Sequence, residues 1–226
     1  MTRRIDPGLI PPSPDLAFEH AFWKAGLPAV AGVDEAGRGC LAGPVTAAAV
    51  ILLDDGTIIH KLEGVRDSKQ LSAAEREQAK YKVENFSLAW AVGQADNWEI
   101  DQLGIVPATR LAIWRALDQL RTIPDHILVD YLVLPDISIP QTRLVKGDTR
   151  SLSIAAASIL AKTHRDALMA ASATKFPEYG FETNMGYGTA YHREAIQSLG
   201  PCPLHRMTFA PMQKMYGKDV SSQRGQ

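Results

Sequence analysis

The chain has 226 residues, 46% of them hydrophobic and 22% charged, an ordinary balance for one large or two small globular domains. No apolar run is long enough to span a bilayer, and the basic N-terminus meets Pro11 and Pro12 instead of the apolar segment of a secretion signal, so a cytoplasmic location is expected. A net charge of −1 counts mildly against a nucleic-acid binder, unless a compact basic face or bound cations neutralise phosphates.

Residues 1–13 read as irregular. Ser13-Pro14-Asp15 then opens a short helix that places Phe18 and Phe22 on one face and Leu16 and Trp23 on another, and Gly26 and Pro28 end it. Residues 28–33 read as a buried strand, 44–53 as a second, with a turn at Asp54-Asp55-Gly56. Ser72-Ala73-Ala74-Glu75 is a capping box that starts a helix of about 13 residues. A strand at 86–93 and a helix over Pro107–Leu120 follow. Residues 126–130 form a short strand ending in a carboxylate, 143–146 another, Ser151–Ser172 a long alanine-rich helix and Thr189–Leu199 a last one.

Two early strands joined by a tight loop point to antiparallel pairing, and the helices between later strands point to parallel additions. The expectation is α/β, one mixed sheet flanked by helices. Residues 1–26 form an extension whose short helix packs on a core at 27–216, and 217–226 is a polar, flexible tail. Cys40 and Cys202 make no zinc-type cluster, and nothing demands that they pair. Trp23, Trp90 and Trp114 are expected in or near the core, Trp98 at the surface.

The most informative segment is 32–44, Gly-Val-Asp-Glu-Ala-Gly-Arg-Gly-Cys-Leu-Ala-Gly-Pro. Asp34 and Glu35 end an apolar run, and carboxylates bind hard divalent cations. In Gly37-Arg38-Gly39 the glycines let backbone approach a ligand and the arginine suits a phosphate. Together these point to metal-assisted chemistry on a phosphate ester. Gly37-x-Gly39-x-x-Ala42 also matches a dinucleotide fingerprint, but Gly43-Pro44 leads into a β-rich run and leaves no room for the helix that must hold a pyrophosphate. Taken alone, the segment reads equally as a tight turn with a solvated Arg38.

Asp34, Glu35, Asp130 and Asp148 all stand at expected element ends, where a two-metal site would draw its ligands. Strand neighbours point to opposite faces, so Asp34 and Glu35 share a site only if the strand ends or bends there. Asp148 also reads as an acid favouring the positive end of the Ser151 helix, and Asp130 as a polar strand terminus.

The chain resembles the ribonuclease HII family of bacterial type. The resemblance covers Phe18 to Lys214 and is carried by Ala31-Gly-Val-Asp-Glu-Ala-Gly-Arg-Gly39, Leu41-Ala-Gly-Pro-Val45, Asp67-Ser-Lys69, Ile127-Leu-Val-Asp130, Lys146-Gly-Asp148, Ser153 to Lys162, Arg165-Asp166, Gly186-Tyr-Gly-Thr189 and His205-Arg206. It implies a ribonuclease H-like fold with a mixed central sheet and a C-terminal helical region. It implies an endonuclease that hydrolyses the RNA strand of RNA–DNA hybrids and cuts 5′ of single ribonucleotides in duplex DNA, leaving 3′-hydroxyl and 5′-phosphate ends. Asp34, Glu35, Asp130 and Asp148 are implied to hold two Mg²⁺ or Mn²⁺ ions. The Gly37-Arg38-Gly39 backbone and Tyr187 are implied to read the ribose 2′-hydroxyl and the RNA–DNA junction.

Lys69 is the best supported phosphate contact, with Lys146, Arg150 and Lys162 as further candidates. His192 and His205 are more simply structural than DNA-touching. No sliding-clamp motif is visible in the tail, no protein partner is assigned, and nothing requires more than a monomer. Two departures stand out: Tyr131 follows Asp130 where the family usually has glycine, and Cys40 stands where many members have proline. Rival readings are another ribonuclease H-like nuclease blind to the 2′-hydroxyl, and a hybrid-binding module without chemistry.

Overall fold

The computed structural model describes residues 10–216. The expected tail at 217–226 and the first nine residues lie outside the described residues. Strands β1 (Val30–Ala36), β2 (Val45–Ile51), β3 (Ala89–Ala95), β4 (His126–Asp130) and β5 (Gln141–Leu144) form one sheet in the order β3-β2-β1-β4-β5. The β3-β2-β1 half is antiparallel, and β4 and β5 add in parallel. The expected mixed sheet is therefore present, with β1 at its centre.

Period-two alternation assigns the layers. Ala48 and Val50 of β2 face a cluster with helices α1 (Ala17–Lys24), α3 (Ala73–Phe86) and α6 (Leu152–Ala173), while Ala47, Ala49 and Ile51 face a cluster with α5 (Ile105–Asp118). Close packing sets residue size. A Cβ on Gly32 of β1 would lie 2.2 Å from the Ser153 backbone of α6, and one on Gly93 of β3 would lie 2.2 Å from the Ala112 carbonyl of α5. Helix α6 is alanine-rich for the same reason: Ala155, Ala156 and Ala157 are fully buried.

A third cluster joins Leu41, Ala42 and Met169 to Tyr179 of the 3-10 turn Pro177–Tyr179 and to Phe181, Ile196 and Met212 of the C-terminal helices α7 (Phe181–Asn184), α8 (Ala190–Leu199) and α9 (Ala210–Tyr216). The short helices α2 (Ile58–Lys61) and α4 (Asn97–Leu103) complete the helices of the described residues. Helix α4 was not anticipated, although its Asp96–Glu99 pair is a full capping box. Trp98 is exposed as expected, but Trp114 is 48% exposed and not in the core. It lines an open groove with Pro107, Leu111, Leu134 and Ile137. Cys40 and Cys202 are both buried and free.

Candidate active site

The parallel pairing of β1 with β4 starts the site. Val33 stands opposite Val129, so the next residues along, Asp34 and Asp130, leave one edge of the sheet side by side. By alternation Asp34 follows Gly32 toward α6, where Ser158 favours its charged form, and Glu35 takes the other face. The expected end or bend between the two acids does not occur: β1 stays paired through Ala36 opposite Thr46, and the chain turns only at Gly37, φ +89°. Asp34 and Glu35 still act on one region, because each feels the charge of Asp130.

Asp148 arrives from the other side. After β5, Lys146 takes a left-handed φ of 55°, and Gly147–Thr149 form a short 3-10 turn just before Ser151 caps α6. The Gly147 N–H donates to Asp130 Oδ1 at 2.8 Å and ties the two acid-bearing turns together. Tyr131 adopts φ 60°, a conformation suited to the glycine that the resemblance led us to expect there, and its side chain is 58% exposed.

The carboxylates share an electrostatic condition. Burial pushes Asp34 well above the ordinary carboxylate range, and the charges of Glu35 and Asp130 push the same way. Burial also raises Glu35, against the pull of Arg38, whose Nη1 lies 2.9 Å from Glu35 Oε1. Asp130 is raised by burial against the Gly147 N–H, and Asp148 by burial followed by the charges of Asp67 and Asp130. A second cation among them is Lys69, 3.7 Å from Asp148 and 3.8 Å from Asp67. Burial alone would lower Lys69, but Asp67, Asp148, Asp34 and Asp130 outweigh it and raise its pKa.

Beside the acids, Glu35, Gly37, Arg38, Gly39, Ser68, Lys69, Ser158, Lys162 and Tyr187 line a pocket of about 280 Å³. Tyr187 is 42% exposed there, with Lys162 Nζ 5.6 Å from its ring. Its loop is laced to the glycine segment: Leu41 and Ala42 N–H groups both donate to the Gly186 carbonyl, at 2.8 and 3.3 Å. His192 and His205 lie beneath it, buried and 3.1 Å apart through Nε2, with His192 Nδ1 2.9 Å from the Tyr187 carbonyl oxygen. They are structural.

Among the cations, Lys162 joins the pocket and pairs with Asp166 at 2.9 Å. Lys146 is exposed. Arg150 is turned away from the expected role, its guanidinium 5.0 Å from the Phe18 ring.

Sequence reasoning gave no role to Asp67, Ser158, Arg165 or Arg206. Asp67 caps the Ser68–Gln70 turn by accepting from the Lys69 N–H at 3.1 Å, and so fixes where Lys69 stands. Ser158 Oγ lies 3.0 Å from Ser68 Oγ, joining that turn to α6 through buried hydroxyls. A signal for the α6 residues existed: Ser158, Lys162, Arg165 and Met169 recur at helical spacing on one face.

Donor chemistry fits divalent cations. The acids offer only oxygen, Asp34 and Asp148 are buried and Glu35 and Asp130 half-buried, and burial and mutual charge raise them against the pull of Lys69 and Arg38, the condition a hard cation relieves. Among the described residues, no three His, Cys, Asp or Glu side chains already stand close enough to close on one ion. Three of the four acids are held by partners: Glu35 by Arg38, Asp130 by Gly147, Asp148 by Lys69. A cation bound by these acids would displace such contacts.

The family model described as ribonuclease HII matches residues 31–212. A protein named ribonuclease HII from Chloroflexus aurantiacus is 51% identical over 203 residues, covering 88% of this chain and 94% of that protein. The crystal structure of the ribonuclease H2 from Pyrococcus horikoshii OT3 aligns with a TM-score of 0.68 and 29% identity, over 84% of this chain and 97% of that one. A structure of Bst-RNase HIII in complex with Mn²⁺ shares the fold at a TM-score of 0.66 and 21% identity, over 84% of this chain and 70% of that one. With four acids gathered at the end of β1 and these likenesses spanning nearly the whole described chain, this protein belongs to the ribonuclease HII family, endonucleases of the type 2 ribonuclease H class.

Proposed function

We propose that this chain hydrolyses the RNA strand of RNA–DNA hybrids and nicks duplex DNA 5′ of a lone ribonucleotide, leaving 3′-hydroxyl and 5′-phosphate ends. The observation that carries the reading is the pairing of an over-acidic cluster, Asp34, Glu35, Asp130 and Asp148, with a glycine-backbone pocket closed by a half-exposed Tyr187. The four acids are proposed as ligands of two Mg²⁺ or Mn²⁺ ions. Bound there, such ions supply an activated water and stabilise charge on the departing 3′-oxygen.

The protein's own groups do the rest. Lys69, pinned by Asp67 and Asp148, contacts the phosphate flank. Arg38 leaves Glu35 when that acid takes a cation, and its guanidinium turns to phosphate. Only the 2′-hydroxyl separates ribose from deoxyribose at one nucleotide, so backbone at 37–39 must come within hydrogen-bond reach of that sugar. A Cβ on Gly39 would meet no protein atom within 4 Å, so the space over it is free for the sugar. Tyr187 packs on the neighbouring sugar and tests its shape. One copy of the chain suffices for this, in the cytoplasm, and the reading assigns no protein partner.

The test is a labelled duplex with one internal ribonucleotide, beside its all-DNA twin, incubated with Mg²⁺ or Mn²⁺ and either wild type or Asp34→Asn. A single 5′-side cut of the ribonucleotide duplex alone, absent in Asp34→Asn and in excess chelator, is the expected result. Equal cutting of both duplexes would favour a DNA nuclease on the same fold, and tight binding without cleavage under any metal a binding module.

A further inference from the structure

The glycine segment is held from inside by two arginines. Arg165, on α6, and Arg206, between α8 and α9, are fully buried, and neither forms an ion pair among the described residues. Their partners are carbonyls. Arg206 donates from Nε to Gly43 at 2.9 Å, from Nη1 to Arg38 at 2.9 Å and from Nη2 to Gly37 at 2.8 Å. Arg165 donates from Nε to Pro44 at 3.0 Å, from Nη1 to Met185 at 2.8 Å and from Nη2 to Ala42 at 3.1 Å. Burying two cations without counter-charges is expensive, and an apolar side chain would fill the same space at less cost.

Peptide geometry says what the expense achieves. In a trans peptide the C=O of one residue and the N–H of the next point in opposite directions, and no described peptide is cis. The Gly37 carbonyl aims at Arg206, so the Arg38 N–H aims away from it. The Arg38 carbonyl does the same, so the Gly39 N–H also points outward. Neither N–H finds an acceptor among the described residues, and both residues line the pocket with Glu35, Lys69 and Tyr187. Arg165 fixes the other coordinate. It packs where a side chain on Gly37 would be, with Nε 1.9 Å from a notional Cβ, and its bond to Met185 binds the Tyr187 loop to segment 42–44.

We propose that Arg165 and Arg206 are positioning residues for ribose recognition: by drawing the carbonyls of Gly37 and Arg38 inward, Arg206 aims two adjacent N–H groups at the sugar, and by bridging segment 42–44 to Met185, Arg165 sets the gap between those groups and Tyr187. This rests on the reading of the pocket as the ribose site. Lysine at either position keeps the charge but carries its donors on one nitrogen, which cannot span three carbonyls.

The experiment compares wild type, Arg165→Lys and Arg206→Lys on the single-ribonucleotide duplex and on the same duplex with 2′-fluoro at that position, with thermal unfolding of each. Folded variants should show KM for the ribonucleotide duplex raised roughly tenfold or more with a smaller change in kcat, and a reduced preference over the 2′-fluoro duplex. Binding of all-DNA duplex, which leans on phosphates, should stay within about twofold. A folded variant with unchanged KM and preference overturns the proposal. If the variants do not fold, wild-type amide NMR in chelator decides: the Arg38 and Gly39 amide signals should move on adding the ribonucleotide duplex and not its all-DNA twin, and signals that stay put overturn it. A wild type that does not distinguish the duplexes defeats the ribose reading itself, a result separate from a loss confined to the variants.

Discussion

Asp34 is raised well above the ordinary carboxylate range because it is buried and faces Glu35 and Asp130. A carboxylate whose folded pKa exceeds its unfolded value costs stability above the folded pKa, and the cost fades as pH falls through it. Asp34→Asn should therefore abolish cleavage yet raise the melting temperature in chelator at pH 8, by about 2–4 °C if relief is on the order of 1 kcal/mol. The gain should shrink toward acid pH, and Mg²⁺ should stabilise wild type more than the variant. A variant that melts below wild type in chelator would contradict this. The glycines divide in the same way. Gly39→Ala meets no protein atom, so it should melt as wild type while cleavage falls about tenfold or more from a methyl in the sugar's place. Gly37→Ala meets Arg165 from a φ of +89° and should lose stability as well as activity. Tyr131, at φ 60° and exposed, is the reverse case: Tyr131→Gly should raise stability by about 1 kcal/mol in urea unfolding, since its strain is conformational.

Helix α6 carries the site's far wall, and its first turn is held by an acid from another element. Glu19 of α1 is fully buried, and its Oε1 accepts from Ser151 Oγ at 2.7 Å, Ser153 N at 2.9 Å and Ser153 Oγ at 2.6 Å. Glu19→Ala strands these donors beside the turn that bears Asp148. Equilibrium unfolding should show a loss of about 2–4 kcal/mol; a loss under about 0.5 kcal/mol would mean that water replaces the carboxylate freely. None of this was legible in the sequence, because Glu19 and Ser151 are 132 positions apart and only the tertiary fold joins them. Local signals were legible. The Ser72 capping box, the continuous apolar run of β2 and the small-residue face of α6 each report a choice made within a few residues. Helix α4 had such a signal in Asp96–Glu99, hidden by the polarity of the stretch around it. In the site, the acids stood out only in combination, four carboxylates at expected element ends, since Asp130 and Asp148 each also read as an ordinary element terminus. Arg165 and Arg206 did not, because a buried arginine satisfied by carbonyls looks in sequence like any surface cation.

The whole molecule carries a net charge of −1 and must nonetheless hold a polyanion. Its means are local. Arg38, Lys69 and Lys162 line the pocket, and Lys146 is exposed beside the turn that carries Asp148, while cations bound at the acid cluster would neutralise the charge that repels phosphate. Each phosphate contact releases condensed counterions, and log K falls with log salt by about 0.9 per contact on duplex DNA. With four contacts the slope should be roughly −3 to −4, shallow for a nucleic-acid protein. Lys146→Ala and Lys162→Ala should each reduce it by about one, weakening all duplexes alike and leaving the choice of ribonucleotide intact. Arg150→Ala should leave the slope unchanged, because that guanidinium is spent on Phe18. Salt titrations of duplex binding in Asp34→Asn, the variant expected not to cut, measure all three. A slope of −8 or steeper would place the binding energy on a basic face beyond the pocket, and a drop with Arg150→Ala would put that residue back on the nucleic acid.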